Sequence, residues 1–369
     1  MLHLLKKIKN TYTAHRTNRG GMRLKERLVI LESDDWGAIR TPSATALEAF
    51  VGRGFAMAGS VYQYDMLESA EDLDRLFNLL LEFRDNRGNP PVITGNMIMA
   101  NPDFEAIRQS GFSAYQYELS SATCLRHAGH ELVPQLWNAG MQQHVFRPQF
   151  HGREHLQYKR WLRTLQTGDA SALFAFDRGA TYSGKADYSF MEAFDWDAPE
   201  DIDEQKNVLT EGLRLFEQQF GFRSRTFIAP CYNWDPAIEP HLKSQGIDML
   251  QGIRSQLCPT GTFDQYRKIA HHFGETNKAG MRFSIRNCFL EPSLYPGRDW
   301  VDLCLMQIRT AFMYRKPAVI CTHRINYVGG ILAANRDRGL RDLKRLLSAI
   351  SVQWPDAQFI SSDQLTDYL

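Results

Sequence analysis

The sequence predicts an α/β protein built on a mainly parallel sheet, either open or closed into a barrel. Three observations carry this. Short apolar runs rich in β-formers alternate with amphipathic helical patterns along the whole chain, with no low-complexity linker between them. Polar and ionisable residues gather where those runs end: Asp34 and Asp35, His151, the segment from Pro230, and His323. Neither a GxGxxG after the first run nor a P-loop signature occurs, so dinucleotide and P-loop readings have no support.

The first run, Leu28 to Leu31, reads as a fully buried strand and ends abruptly in Glu32-Ser-Asp-Asp-Trp-Gly37. A short helix is expected from near Ser43 to Phe50, then irregular chain over 54–67. Ala70 to Phe83 is amphipathic, with Leu73, Leu76, Phe77, Leu80 and Leu81 on one face. Pro91 to Met97 reads as a strand, Pro102 to Gln109 as a helix, and Tyr115 to Leu119 as a short strand or arm. Glu131 to Gln142 is helical, Val145 to Phe150 strand-like, and Glu154 to Leu165 and Ala170 to Phe176 helical. Residues 178–200 form a long loop or insertion over one face, and its aromatics argue against disorder. After the helix Ile202 to Phe220 come strands at Arg225 to Ala229, Ile247 to Gln251, Phe283 to Leu290, Pro317 to Thr322 and Gln358 to Ser361. Helices at Pro236 to Ser244, Trp300 to Tyr314 and Leu340 to Val352 alternate with them.

Composition sets the bounds. With 369 residues and 43% apolar content the chain can bury one large core or two ordinary ones. A net charge of +1 gives no global field for nucleic acid. The six cysteines are scattered without a CxxC pair, which fits a reducing compartment. No run is long enough to span a bilayer, and the apolar stretch after Met1 is too short for a signal peptide. A cytoplasmic protein is therefore expected. Residues 1–26 form a basic arm ahead of a domain at 27–369, and Leu2, Leu5 and Ile8 recur at helical spacing. The favoured reading is a solvated arm docked on the domain; a weak contact with an anionic membrane surface is the other.

Adjacent carboxylates at the end of a buried strand repel each other and lose hydration. Either Asp34 is a solvated loop residue and Asp35 caps the next helix, or one binds a metal and the other is a base. His151-Gly-Arg-Glu-His155 places two imidazoles four residues apart, expected one turn apart at the start of a helix, a spacing common in zinc sites. With Asp35 they would make a two-histidine, one-carboxylate set with an open position for water. His323 could be a general acid, or a core histidine bonded to backbone. Glu291 could orient a substrate hydroxyl or cap a turn.

The order of these motifs resembles the polysaccharide deacetylase (NodB-type, carbohydrate esterase family 4) superfamily over roughly residues 27–325. The resemblance implies an irregular (β/α)7 barrel and a divalent metal, often zinc. It implies hydrolysis of an acetyl or similar acyl group from a carbohydrate or glycan precursor. It makes Asp34 the base, Asp35, His151 and His155 the metal ligands, and His323 the general acid. The stretch Phe227 to Asp235 resembles the third motif, so Pro230, Cys231, Tyr232 and Trp234, with Trp36, are expected to line the substrate pocket. Two departures stand out. Trp36 separates Asp35 from Gly37, and Ile228 occupies the place of the third-motif arginine, which Arg147, Arg225, Arg254 or Arg286 would have to replace. The alternatives are a glycoside hydrolase using Asp34 with Glu291 or Asp235, and a non-catalytic carbohydrate-binding relative.

Overall fold

A computed structural model describes residues 2–57, 63–185, 187–295 and 297–369, with side chains from residue 8 onward. Parts of the expected irregular segment (58–62) and of the long loop (186) lie outside the described residues.

Thirteen strands are present among the described residues: β1 (Leu28–Trp36), β2 (Ile93–Ile98), β3 (Ala100–Pro102), β4 (Tyr117–Leu119), β5 (Phe146–Gly152), β6 (Thr226–Ile228), β7 (Met249–Gly252), β8 (Ser255–Pro259), β9 (Tyr266–Ala270), β10 (Arg282–Ile285), β11 (Cys288–Phe289), β12 (Ala318–His323) and β13 (Gln358–Phe359). The main sheet is parallel throughout and runs β10-β7-β6-β5-β2-β1-β12-β11, with β13 on the first residues of β1.

The two ends of that sheet are one piece of chain. Only Arg286 and Asn287 separate β10 from β11. The Arg286 amide still donates to Gly252 of β7 (2.8 Å), and the next amide, Asn287, donates to Val319 of β12 (3.1 Å). A single strand thus changes partners in mid-course and closes the sheet. Counted once, it makes the ring seven strands round, as expected of an irregular (β/α)7 barrel. The Asn287 side chain secures the switch by accepting from the Val319 amide and donating to Pro317 O (both 2.9 Å).

The main-sheet strands are largely buried on both faces, so they read as continuous apolar runs rather than alternating ones. The outer helices present one stripe each. The helix Ala70–Leu81 is started by a Ser69–Asp72 capping box and buries Leu73, Leu76, Phe77 and Leu80. The helix Asp201–Phe220 ends at Gly221, whose φ of 76° suits glycine, and lays Phe216 edge-on to Phe150 of β5. Residues 178–200 carry no regular structure where described, yet Phe190, Met191 and Phe194 are buried, so this loop is packed rather than loose.

The basic arm takes a definite form, and two other expectations need correction. The basic arm is a helix, Leu2–Asn18, held on the body by buried Ala14 and Asn18, with the Asn287 amide donating to Asn18 Oδ1 (2.8 Å). The region after β7 holds an antiparallel hairpin, β8–β9, that the sequence reading left out. The helix before the last strand begins at Ala333, seven residues ahead of Leu340. Among the described residues no helix is long and apolar enough to cross a membrane.

Candidate active site and metal centre

The C-terminal ends of the parallel strands bring the sequence motifs to one cleft. Asp34, Asp35, His151, His155, Cys231, Tyr232 and His323 all line it, with Asp65, Met191, Ala229, Leu294 and Ile325.

In an ordinary strand, consecutive side chains point to opposite faces. Here the β1–β2 register slips between Ser33 and Trp36, and Asp35 takes a left-handed φ of 75°. The slip lets Asp34 and Asp35 reach the same cleft. Gly37 (φ 81°) completes the turn, its amide donating to Glu68 Oε1 (3.0 Å), and a Cβ there would meet Ile98 O at 2.7 Å.

The same slip corrects the reading of Trp36. It is 1% exposed, lies edge-on to Phe146 and donates its indole N–H to Ser33 Oγ (3.0 Å). Trp234 is buried likewise, with its N–H on Glu239 Oε1 (3.0 Å). Neither indole reaches the cleft, because each has its polar atom satisfied inside the fold. Pro230 is also buried and acts by starting the turn. After it, Cys231 and Tyr232 both adopt left-handed φ (55° and 56°). Burial pushes the Cys231 thiol well up, so it is no thiolate nucleophile.

The His-x-x-x-His pair is not helical. His151 lies in β5, and the following helix begins only at Tyr158. Gly152 and the turn after it swing His155 back instead, leaving the two imidazoles 5.1 Å apart and nearly perpendicular. Both Nε2 atoms are 3.4 Å from Asp35 Oδ1. Two donors on one tetrahedral zinc, at bonds of about 2.0–2.1 Å, lie about 3.4 Å apart. His151 Nδ1 faces Ile228 O at 2.8 Å, which fixes the proton there and turns the Nε2 lone pair inward. That buried Nε2 has no hydrogen-bond partner. An orphaned imidazole nitrogen, a second imidazole and a carboxylate at these spacings fit a divalent cation. Burial, then the Arg40 charge, pushes His155 well below the usual histidine range, so it is neutral as a ligand must be. Burial alone would raise Asp35, but its neighbours His151, His155 and Arg40 hold it well below the carboxylate range. Arg40 Nη2 is 3.4 Å from Asp35 Oδ1, and its Nη1 donates to His155 O (3.2 Å).

Asp34 is the centre of a second cluster. Arg286 donates Nη1 to Oδ2 and Nη2 to Oδ1, both at 2.6 Å, and Nε to Glu32 Oε2, also 2.6 Å. Of the arginines singled out in the sequence, Arg286 thus meets Asp34, whereas Arg147 and Arg225 pair elsewhere, with Asp363 and Asp248. Burial opposes the charge on Asp34, and Arg286 overcomes it, holding this carboxyl far below its ordinary range. Asn96 Nδ2 adds a third donor at 2.7 Å on Oδ1. His323 Nε2 is 3.7 Å from Asp34 Oδ2, and its Nδ1 is 2.7 Å from Glu291 Oε1. Burial would lower His323, but Glu291, then Asp34 and Asp35, push it up to about 10. Asn326 holds the other Glu291 oxygen (2.7 Å). Sequence reasoning placed Asp34, Asp35, His151, His155 and His323 together. It missed Arg40 and Asn96, did not choose Arg286 among its four candidate arginines, and gave Glu291 a substrate hydroxyl or a turn to hold rather than His323.

A seven-stranded parallel barrel with this cluster at its strand ends is an α/β barrel of the polysaccharide deacetylase type. No protein-family model and no curated protein matches the sequence. Among solved structures, a Parabacteroides distasonis protein assigned as a glycoside hydrolase/deacetylase superposes with a TM-score of 0.50 at 8% identity, over 94% of this chain and 71% of that one. This likeness shows a shared fold. A Mycobacterium smegmatis protein assigned as a polysaccharide deacetylase gives 0.41 at 12% identity, covering 93% and 94% of the two chains. The peptidoglycan deacetylase PdaC of Bacillus subtilis gives 0.33 at 9% identity, covering 93% and 92%.

Proposed function

We propose that this protein is a metal-dependent hydrolase that removes an acetyl or similar acyl group from a carbohydrate. The observation that carries the reading is the meeting of both histidine Nε2 atoms on Asp35 Oδ1, beside an ionised Asp34 and a protonated His323 in one cleft. Asp35, His151 and His155 would hold a divalent ion, with zinc the best match to two imidazoles and one carboxylate. Such an ion supplies Lewis acidity, bringing a water from a pKa of 15.7 toward about 7.

The protein's own groups account for the proton movements. Asp34 Oδ1 is filled by Arg286 and Asn96, whereas Oδ2 takes one Arg286 hydrogen bond and faces His323. Oδ2 therefore has the lone pair free to accept a proton from the attacking water. His323, kept protonated by Glu291, donates from Nε2 to the departing amine or alkoxide. The Cys231 amide, which donates to no other described group, is the candidate donor to the oxyanion, worth typically about 3 kcal/mol. The glycoside hydrolase alternative loses support because Glu291 commits both oxygens, to His323 and Asn326, and Asp235 caps Ala237.

The test joins metal content to product analysis. Purified protein should carry about one zinc or similar ion per chain, and His151→Ala/His155→Ala should carry none. N-acetylated oligosaccharides should then release acetate without new reducing ends. Metal-free protein even after zinc is supplied, or reducing ends without acetate, would overturn the reading.

A further inference from the structure

We propose that the N-terminal helix is a docking surface for an anionic phospholipid membrane. Charge is sharply segregated in this chain. The first 27 residues hold eight basic residues against one acid, a net of +7, and the remaining 35 basic and 41 acidic residues leave a net of −6. Elsewhere about half of the arginines are spent on carboxylates, as in Arg153–Glu211, Arg160–Asp195 and Arg324–Asp65. Lys9, Arg16, Arg19, Arg23 and Lys25 pair with no carboxylate among the described residues. Their charge is therefore open to a partner.

The helix shows which face is free. Ala14 and Asn18 turn inward, and His15 meets Tyr314. One turn apart along the helix, Ile8 and Tyr12 are 57% and 67% exposed. Exposed Lys9, Arg16 and Arg19 flank them. Apolar and aromatic side chains inside a basic field match the boundary between lipid headgroups and acyl chains, where tyrosine is favoured. A nucleic acid would meet the charges but leave Ile8 without a complement. Attachment of this kind needs no spanning helix, and one short segment gives reversible binding.

The experiment is co-sedimentation of the full chain with vesicles. Phosphatidylcholine alone should not retain the protein; vesicles with about one-third phosphatidylglycerol should, and high salt should release it. Lys9→Glu/Arg16→Glu/Arg19→Glu should weaken retention at least about tenfold, since each charge near such a surface counts. Ile8→Asp/Tyr12→Asp should also weaken it, with an unchanged melting temperature for both variants. Equal retention on neutral and anionic vesicles, or none on either, overturns the proposal. So does tighter binding to a DNA duplex at the same salt, or a dimer that Ile8→Asp/Tyr12→Asp dissociates without any vesicle binding.

Discussion

Arg286 and Asp34, 252 positions apart in the chain, meet across the barrel in a bidentate pair, both N–O distances 2.6 Å. The Arg286 guanidinium is fully buried, and Glu32 shares it. Arg286→Met leaves two carboxylates buried without a cation. We expect a loss of about 3–5 kcal/mol in urea denaturation, because breaking one side of a buried pair strands the other charge. Arg286→Lys keeps the charge but not the fork and should fall between. Wild-type stability in Arg286→Met would remove the pair from any account of how Asp34 stays ionised.

The His323–Glu291 pair sets a pH signature in the metal-free protein. Its folded pKa, about 10, lies above the ordinary 6.5. Stability from the pair is therefore complete below about 6.5 and declines as pH rises through about 10. NMR titration of the imidazole should place His323 well above an exposed histidine, and Glu291→Gln should bring it down. A wild-type midpoint near 6.5 would contradict the role given to Glu291.

Gly339 lies inside the helix Ala333–Gln353, where an added Cβ would come within 1.7 Å of Asn326 O. Asn326 holds Glu291, so a shift here travels to His323. Gly339→Ala should cost about 1–3 kcal/mol or more by overpacking. Gly52→Ala, where nothing lies within 4 Å, is the control and should be neutral or slightly stabilising. Comparison of their denaturation midpoints decides.

Trp36 is a core residue despite its place in the aspartate motif. Trp36→Phe should lower stability by about 1–3 kcal/mol and leave KM for an acetylated oligosaccharide unchanged. A raised KM with unaltered stability would restore Trp36 to the substrate surface.

What the sequence made legible follows from distance along the chain and regularity of backbone. Asp34, Asp35, His151, His155 and His323 end strands whose apolar runs are plain, and a parallel barrel gathers strand ends without further information. Trp36 was misplaced because an alternating strand would have turned it differently; the slip at Asp35 leaves no compositional mark. The His151–His155 spacing was right for the wrong reason, since a glycine turn rather than a helical turn brings the rings together. Arg286 is a lone arginine in a stretch with no motif, and only closure of the barrel shows its partner. The β8–β9 hairpin was hidden because Ser255–Pro259 and Tyr266–Ala270 lack a clean alternation of apolar and polar residues.

The strand that changes partners at Arg286 and Asn287 also orders events during synthesis. β1 is completed by β12 and β13, and Asp34 by Arg286, all made long after it. β1 is followed closely by β2, but its other neighbours and the cation for its carboxylates are made about 250 residues or more after it. Until Arg286 and β12 follow, the nascent segment therefore carries an unfinished edge and two uncompensated acids, Glu32 and Asp34.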